Sequence, residues 1–226
     1  MVSIGTFTLP DNTTWFETRI DRVEERYRRV VQVESVLTRF ASQESFQSSI
    51  DELQRQIERL DRQEAALSVA PGRSIRGQRR RCHLHRDTEK CIAVLSLEVL
   101  GVDRFEYGSL QLHSQELASS PMNLLANASG NWTALPRIQI SPSGEIQYPH
   151  LFDGQNQMTV FLTLSALDVL VLDSANRTVT LNGTNVLRDT QGEFVEMIPG
   201  QANLHYSDAG SSRSGTAHIF WEDRWV

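Results

Sequence analysis

The sequence predicts a mainly β protein with one prominent helix. Short runs of alternating apolar and polar residues, separated by turn residues, recur along most of the 226 positions. Only one long stretch has clear helical periodicity. Hydrophobic residues make up 39% of the chain and charged residues 22%, which is typical of a globular protein rather than a disordered or fibrous one.

The first forty residues predict short strands. Residues 6–9 form a β-like piece that ends at the turn signal Pro10-Asp11-Asn12. In residues 27–40, valines alternate with polar neighbours, as in a strand with one buried face. A helix over residues 18–29 remains an alternative for the segment between them.

Residues 45–67 predict the prominent helix. Their apolar side chains recur three or four positions apart, which places them on one stripe: Phe46, Ile50, Leu53, Ile57 and Leu60. Ser49 and Glu52 fit a capping box, and Ser42 or Ser45 would cap an earlier start. Pro71-Gly72 follows as a stop signal. Because the stripe is too short for a long coiled coil, we predict a single helix packed on a sheet.

Residues 79–100 predict a β-hairpin with its turn at Asp87-Thr88-Glu89. The second strand is apolar on both faces near its middle, so we expect it to lie centrally in its sheet. With this turn, Cys91 faces His85 and Cys82 lies several residues further along the ladder. That separation is too great for a disulfide, and we predict two buried free thiols.

The second half of the chain predicts a β-sandwich or jelly roll. Short strands alternate with polar turns at intervals of roughly ten residues. The strand candidates lie at residues 137–140, 145–148, 158–164, 169–172 and 178–181. Asn182-Gly183 comes directly after the last of them and is the strongest short hairpin signal in the chain.

Charge divides the chain into two parts. Residues 1–108 hold 17 basic and 17 acidic residues, whereas residues 109–226 hold 5 basic and 11 acidic residues. The second part therefore carries the whole formal net charge of −6. Such a shift indicates a domain boundary near Gly108.

No motif for catalysis is present: the sequence lacks a phosphate-binding loop, a nucleophile elbow, a dinucleotide fingerprint and a zinc-protease motif. The residues closest to a zinc site lie in the hairpin: Cys82, His83, His85 and Cys91. Cys82 would point away from the other three, so they do not converge on a metal. Glu222 and Asp223 are adjacent and point apart in a strand, unlike the facing carboxylates of a glycosidase. We predict a protein without enzymatic activity, metal or cofactor.

No apolar run reaches the ~20 residues that a membrane-spanning helix needs. The longest one, residues 92–102, is interrupted by Ser96 and Glu98. We therefore predict no membrane span.

Six arginines within fourteen residues form the densest basic cluster: Arg73, Arg76, Arg79, Arg80, Arg81 and Arg86. Arginine suits both phosphate recognition and ion pairs between subunits. The acidic net charge and the lack of interleaved aromatic residues disfavour a nucleic acid or another polyanion. Contacts between subunits, or a solvated loop, fit the cluster better.

Several motifs follow one another in order between residues 127 and 226. They are the entry strand of residues 131–140 with its P-x-I-x-I pattern, the strand of residues 170–173 that ends in Asp, the V-x-L-N-G hairpin of residues 177–187, the P-G-x-N-like turn of residues 198–204 and the aromatic terminal strand of residues 218–226. In this order and spacing they resemble the distal tail proteins of long-tailed phages and the related tail-component family. Ala202, inserted in the turn, and the arginine cluster depart from the family pattern.

The resemblance implies a two-domain fold. It implies an N-terminal β-barrel-like, ring-forming domain over residues 1–110, with the helix near residues 45–67, and a galectin-like β-sandwich over residues 111–215. Because the loop Ser211-Ser212-Arg213-Ser214 looks flexible, we expect the terminal strand, residues 216–226, to return and complete the first domain.

The resemblance also implies a structural role in the virion, at the tail tip, after assembly in the host cytoplasm. Distal tail proteins form hexameric rings that join the tail tube to the hub and the adsorption apparatus. The implied partners are other copies of the chain, the tail tube protein, the hub and the adsorption or fibre proteins, with the tape measure protein as a further candidate.

A lectin-like adsorption module is the alternative, because galectin-like sandwiches are a lectin architecture. Sugar sites usually present an exposed aromatic residue with polar partners, and Trp132, with Asn131 and Arg137 nearby, is the candidate glycan contact. A tryptophan that enters a sandwich is more often part of the core.

Overall fold

The computed structural model describes residues 1–23, 26–63, 65–201, 203–210 and 213–226, with side chains left out of the description over residues 18–28. The chain divides into two compact units, Met1–Tyr107 with Val226 and Gly108–Trp225. This division falls where the charge density of the sequence changes. Ala202, Ser211 and Ser212, which the sequence singled out, lie outside the described residues.

The first unit contains one helix and most of the long strands. In chain order these are β1 (Ser3–Ile4), β2 (Phe7–Thr8), β3 (Thr14–Val23), β4 (Arg26–Leu37), α1 (Gln43–Asp61), β5 (Leu67–Ala70), β6 (Arg73–Ile75), β7 (Gly77–Asp87), β8 (Ile92–Gly101) and β9 (Glu106–Glu116), whose last residues belong to the second unit.

Two antiparallel sheets enclose the core of this unit together with α1. One has the strand order β3-β4-β8-β7. In the second, β2, β1, β5 and β6 follow one another, and β6 pairs with the start of β9 through Ser74 and Tyr107. The four-stranded sheet is open, with β3 and β7 as its edges. The predicted central position of the second hairpin strand, β8, is confirmed.

Helix α1 buries the predicted stripe, since Phe46, Ile50, Leu53, Ile57 and Leu60 are all buried. It has the earlier start that the sequence also allowed, and it ends before the predicted end. Its N-cap is Ser42, whose side chain accepts a hydrogen bond from the backbone of Ser45 in a capping box. It ends at Asp61 because Gln63 has a left-handed φ of 59°, and the last residue of the predicted helix, Leu67, begins β5 instead.

The hairpin of β7 and β8 also differs in register from the prediction. Asp87 pairs with Ile92, so the turn has four residues, and Cys91 lies in it with φ of 50°. Cys82 lies opposite Leu97. The helical alternative for residues 18–29 is wrong, because the described positions among them, 18–23 and 26–29, belong to β3 and β4.

The second unit is a β-sandwich. Its elements are β10 (Met122–Leu124), β11 (Arg137–Pro142), β12 (Ile146–Gln147), β13 (His150–Phe152), β14 (Gln157–Val160), β15 (Thr163–Leu164), β16 (Leu170–Asp173), β17 (Thr178–Leu181), β18 (Thr184–Asn185), a 3₁₀ turn (Leu187–Asp189), β19 (Thr190–Gly192), β20 (Leu204–Ser207) and β21 (Gly215–Trp225).

One sheet has the order β18-β17-β16-β11-β21-β9 and the other the order β10-β20-β13-β14-β19. Both contribute to a single core, for example through Ile138 and Ile219 of the first sheet and Leu151 and Tyr206 of the second. The Asn182-Gly183 turn has φ of 50° and 79°, as the predicted hairpin requires. The predicted strand of residues 158–164 is divided between β14 and β15, which pair with different strands.

The terminal strand differs most from its prediction. β21 lies in the second unit, where Ile219 pairs with Ile138 and Ala217 with Ile140 of β11. Its alternate residues Ala217, Ile219 and Trp221 are buried in the sandwich core. These apolar contacts hold the strand in the sandwich, and of the expected segment only Val226 groups with the first unit. No helix among the described residues combines the length and apolar character needed to cross a membrane.

Candidate interaction surface

The four-stranded sheet of the first unit has two different faces. Side chains alternate across a strand, so the residues between the buried positions of β4 and β8 point away from the core. We call this side the outer sheet face. It includes Thr14, Phe16, Gln32, Glu34, Val36, Arg81, His83, His85, Val94, Ser96 and Glu98, assigned by the strand register.

Large apolar side chains lie exposed on the outer sheet face. Val36 and Val94 are direct partners across β4 and β8 and are 39% and 44% exposed. Phe16, on the edge strand β3, is 46% exposed. Neighbouring exposed apolar residues with a polar surround mark interaction sites more often than isolated ones do. The outer sheet face is therefore the first candidate for a protein contact.

Strand β7 forms the basic edge of this sheet. A bulge between Arg79 and Arg81 leaves Arg80 as an extra residue opposite β8. Arg80 donates to Glu98 at 2.8 Å, and Arg79 pairs with Asp61 of α1 at 2.6 Å. Two neighbouring arginines are thus used inside the unit, on opposite sides of the sheet.

The other arginines of the cluster lie apart from these. Arg73 of β6 is 3.7 Å from Glu106, which also pairs with Arg29 at 3.1 Å. The Arg76 guanidinium lies over the ring of Tyr107, 4.3 Å from its centroid. These contacts tie β4, β6 and the start of β9 together within the first unit.

Arg81 and Arg86 differ from the other four arginines. Both are exposed, and neither makes an ion pair with any residue that the structure describes. Arg81 belongs to the outer sheet face. Arg86 lies opposite the buried Ala93, so its side chain is on the other side of the sheet, where α1 packs. The six arginines therefore do not form one continuous patch, and two of them remain available to a partner.

The cysteines and histidines of the hairpin are also divided between the two faces of the sheet. His83 and His85 share the outer sheet face, while Cys82 faces α1, beside Ile57 and Glu58. Burial raises the pKa of the Cys82 thiol. Both cysteines are free and half-buried rather than fully buried. Within the described part of the chain, no three His, Cys, Asp or Glu side chains gather into a group that fits a metal ion.

Trp132 lies on the surface of the second unit and is 42% exposed. Its backbone, like that of Asn131, donates to the carbonyl of Arg224, so this segment crosses the end of β21. The Arg137 guanidinium lies over Phe220 at 5.4 Å. Trp132 is thus exposed rather than part of the core, and it is not among the lining residues of the large cleft of the second unit.

Sequence reasoning missed a cleft in the second unit. Its volume is about 630 Å³, and its lining comes from separate segments between Leu135 and Glu196. Arg177, Glu193 and Phe194 are among the lining residues. No local sequence pattern signals such a cleft, because its walls meet only after both sheets have formed.

Comparison with known proteins gives a family-model match and matches to solved structures. Residues 129–225 match the family model of the siphovirus-type tail component, C-terminal domain. The whole chain matches the crystal structure of SPP1 Dit (gp 19.1), described as a paradigm of the hub adsorption apparatus in phages that infect Gram-positive bacteria. That match has a TM-score of 0.60 and 13% identity and covers 100% of this chain and 92% of SPP1 Dit. No curated protein sequence matches the chain.

Proposed function

We propose that the protein is a distal tail protein that forms a ring at the distal end of a phage tail. Residues 129–225 match the family model of the siphovirus-type tail component, C-terminal domain, and the whole chain has the fold of SPP1 Dit. The ring, which we expect to be hexameric, connects the tail tube to the hub and adsorption apparatus. The two-domain fold and the family match of the second unit support this role.

The observation that carries the proposal is the outer sheet face of the first unit. A sheet that packs a helix on one side and exposes Phe16, Val36 and Val94 on the other has an apolar surface to cover. In a ring, each subunit meets its neighbour through two different surfaces related by rotation. We propose that the outer sheet face and the adjoining edge β7 form one of these two surfaces.

Arg81 and Arg86 are the groups that we expect to fix how the neighbouring copy is oriented on this surface. Charged groups across an interface fix register and partner choice more than they add affinity. Since the other four arginines of the cluster are engaged within the unit, these two are the basic groups left for carboxylates of the neighbouring copy. Ion pairs between copies would account for a dense arginine cluster in a chain whose net charge is −6.

The proposed neighbours in the tail are other tail proteins. We propose the tail tube protein on one side of the ring and the hub with adsorption or fibre proteins on the other, with the tape measure protein as a further contact. The sandwich, for which the resemblance implies a galectin-like topology, would face these proteins. The role is structural, and we propose neither a reaction nor a cofactor for it.

The particle mass in solution tests the proposal. We expect mass photometry of the full-length chain to show particles of about six copies of 25.6 kDa. The double variant Arg81→Glu and Arg86→Glu is expected to shift the population to monomers, because it places like charges against the acidic partners. Arg188→Glu, an exposed arginine of the second unit, is the matched control and should leave the rings intact.

Rings that form equally well with both substitutions would contradict the assigned surface. A wild-type protein that stays monomeric at micromolar concentration would contradict ring formation itself. Circular dichroism of the variant separates loss of assembly from loss of folding, since both arginines are exposed and outside the core.

A further inference from the structure

The cleft of the second unit lies at one end of the sandwich. It opens where β16 ends and β14 begins, and the segment that follows β19 closes one side. Its volume of about 630 Å³ is within the range of roughly 300–1,000 Å³ typical of small-molecule sites. The cleft lies wholly within one unit, so it exists independently of any ring.

One wall of the cleft presents a basic group on a fixed turn. Asp173 accepts hydrogen bonds from the backbone and the side chain of Asn176, both at 2.9 Å. This holds the turn between β16 and β17, in which Arg177 has a left-handed φ of 52°. Arg177 makes no ion pair with any described residue, although it lines the cleft together with two carboxylates.

Another part of the lining presents acceptors on a fixed backbone. The Glu193 backbone donates to the Gln157 carbonyl at 2.7 Å, next to Gly192. Gly192 has φ of 114°, and a Cβ there would lie 2.0 Å from the same carbonyl oxygen, so the close approach requires glycine. Glu193 is exposed and Glu196 half-buried, and the half-buried Phe194 lies between them.

The lining combines opposite hydrogen-bonding types over an apolar surface. The Arg177 guanidinium can only donate, the carboxylates of Glu193 and Glu196 can only accept, and Asn156 can do both. The exposed Leu187 and the half-buried Phe194 supply apolar contact area. A ligand that satisfies this lining carries both donors and acceptors on an apolar frame.

We infer that this cleft binds a neutral oligosaccharide. Sugar hydroxyls both donate and accept, so one ring can accept from Arg177 and donate to Glu193, while its C–H face packs on Phe194. The two carboxylates outnumber the single guanidinium, which disfavours a polyanionic ligand such as a phosphate-rich polymer. The site differs from Trp132, which lies outside the cleft.

Binding to the full-length protein tests the inference. The probes are cellotriose, maltotriose and tri-N-acetylchitotriose as neutral trisaccharides and trigalacturonate as an anionic one, observed by saturation-transfer NMR at millimolar concentration. We expect at least one neutral probe to bind and trigalacturonate not to bind. Arg177→Ala and Glu193→Gln should each weaken binding by about tenfold or more, since hydrogen bonds to charged groups are strong.

Two control variants keep the test specific. Arg188→Ala removes an exposed arginine outside the cleft lining, and Trp132→Ala removes the exposed aromatic residue, and both should leave binding unchanged. The inference is overturned if no neutral probe binds, if trigalacturonate binds more tightly, or if the cleft variants bind like the wild type. Ring formation is measured separately, and its failure leaves this result unaffected.

Discussion

Single carboxylates hold several turns of the second unit. Asp168 accepts from the Ser165 backbone and from the Asn182 side chain, both at 2.7 Å, and Asn182 in turn accepts from the Val169 backbone. These hydrogen bonds connect the segment before β16 with the hairpin turn after β17. They lower the pKa of the Asp168 carboxyl below its ordinary value of 3.8, with the Ser165 backbone as the main cause.

The lowered pKa gives a prediction with a defined sign. The folded protein favours the charged form of Asp168. Its contribution to stability is therefore fully present at pH values above the ordinary pKa and is lost as the pH falls through the lowered pKa of the folded protein. Asp168→Asn should therefore lower Tm at neutral pH, and the difference from the wild type should shrink below about pH 3.8. Thermal melts between neutral and acidic pH measure this. Asp189→Asn, at an exposed aspartate whose carboxylate has no described hydrogen bond, is the matched control, and an equal, pH-independent effect of both variants would contradict the assignment.

Helix α1 contributes a large share of the core of the first unit. Its buried face packs against the inner side of the four-stranded sheet, which presents residues such as Val33, Leu95 and Leu97. Leu53 is fully buried near the middle of the helix. The polar face of α1, in contrast, is exposed at positions such as Ser48.

We expect Leu53→Ala to destabilise the first unit by about 2–5 kcal/mol, because the substitution removes buried methyl groups and leaves a cavity. Chemical denaturation followed by circular dichroism gives the change. Ser48→Ala, on the exposed side of the same helix, should change stability by less than about 0.5 kcal/mol. Equal effects of the two substitutions would show that the stripe is not packed as described.

The sequence predicted the elements whose signals are local. The spacing of Phe46 to Leu60 defines a helical stripe, and Asn182-Gly183 defines a hairpin turn, whatever the rest of the chain does. The partner of β21 could not be read in this way. The alternation of Ala217, Ile219 and Trp221 predicts that one face of the strand is buried. It does not predict which strand pairs with β21, and only the folded sandwich shows that β11 does.

The candidate surface was also only partly predictable. The sequence brought six arginines together, but strand alternation, the bulge at Arg80 and carboxylates distant in sequence separate them. Arg81 and Arg86 become distinct only when the partners of the other four are known. The cleft around Arg177 had no sequence signal, because its walls come from residues up to about sixty positions apart.

At the scale of the whole molecule, the proposed role is divided between the two units. The first holds most of the charged residues, the helix and the outer sheet face, and the second is the sparsely charged sandwich that matches the tail-component family. The proposed ring assigns assembly to the first unit and leaves the second to contact other tail proteins. The exposed apolar residues of the outer sheet face are the structural reason for that assignment.

Negative-stain electron microscopy of the purified full-length protein tests the central claim most directly. The account predicts closed rings with a central opening, and class averages with about six-fold symmetry. Dispersed single chains, or open filaments without closure, at concentrations where the protein is folded would contradict it.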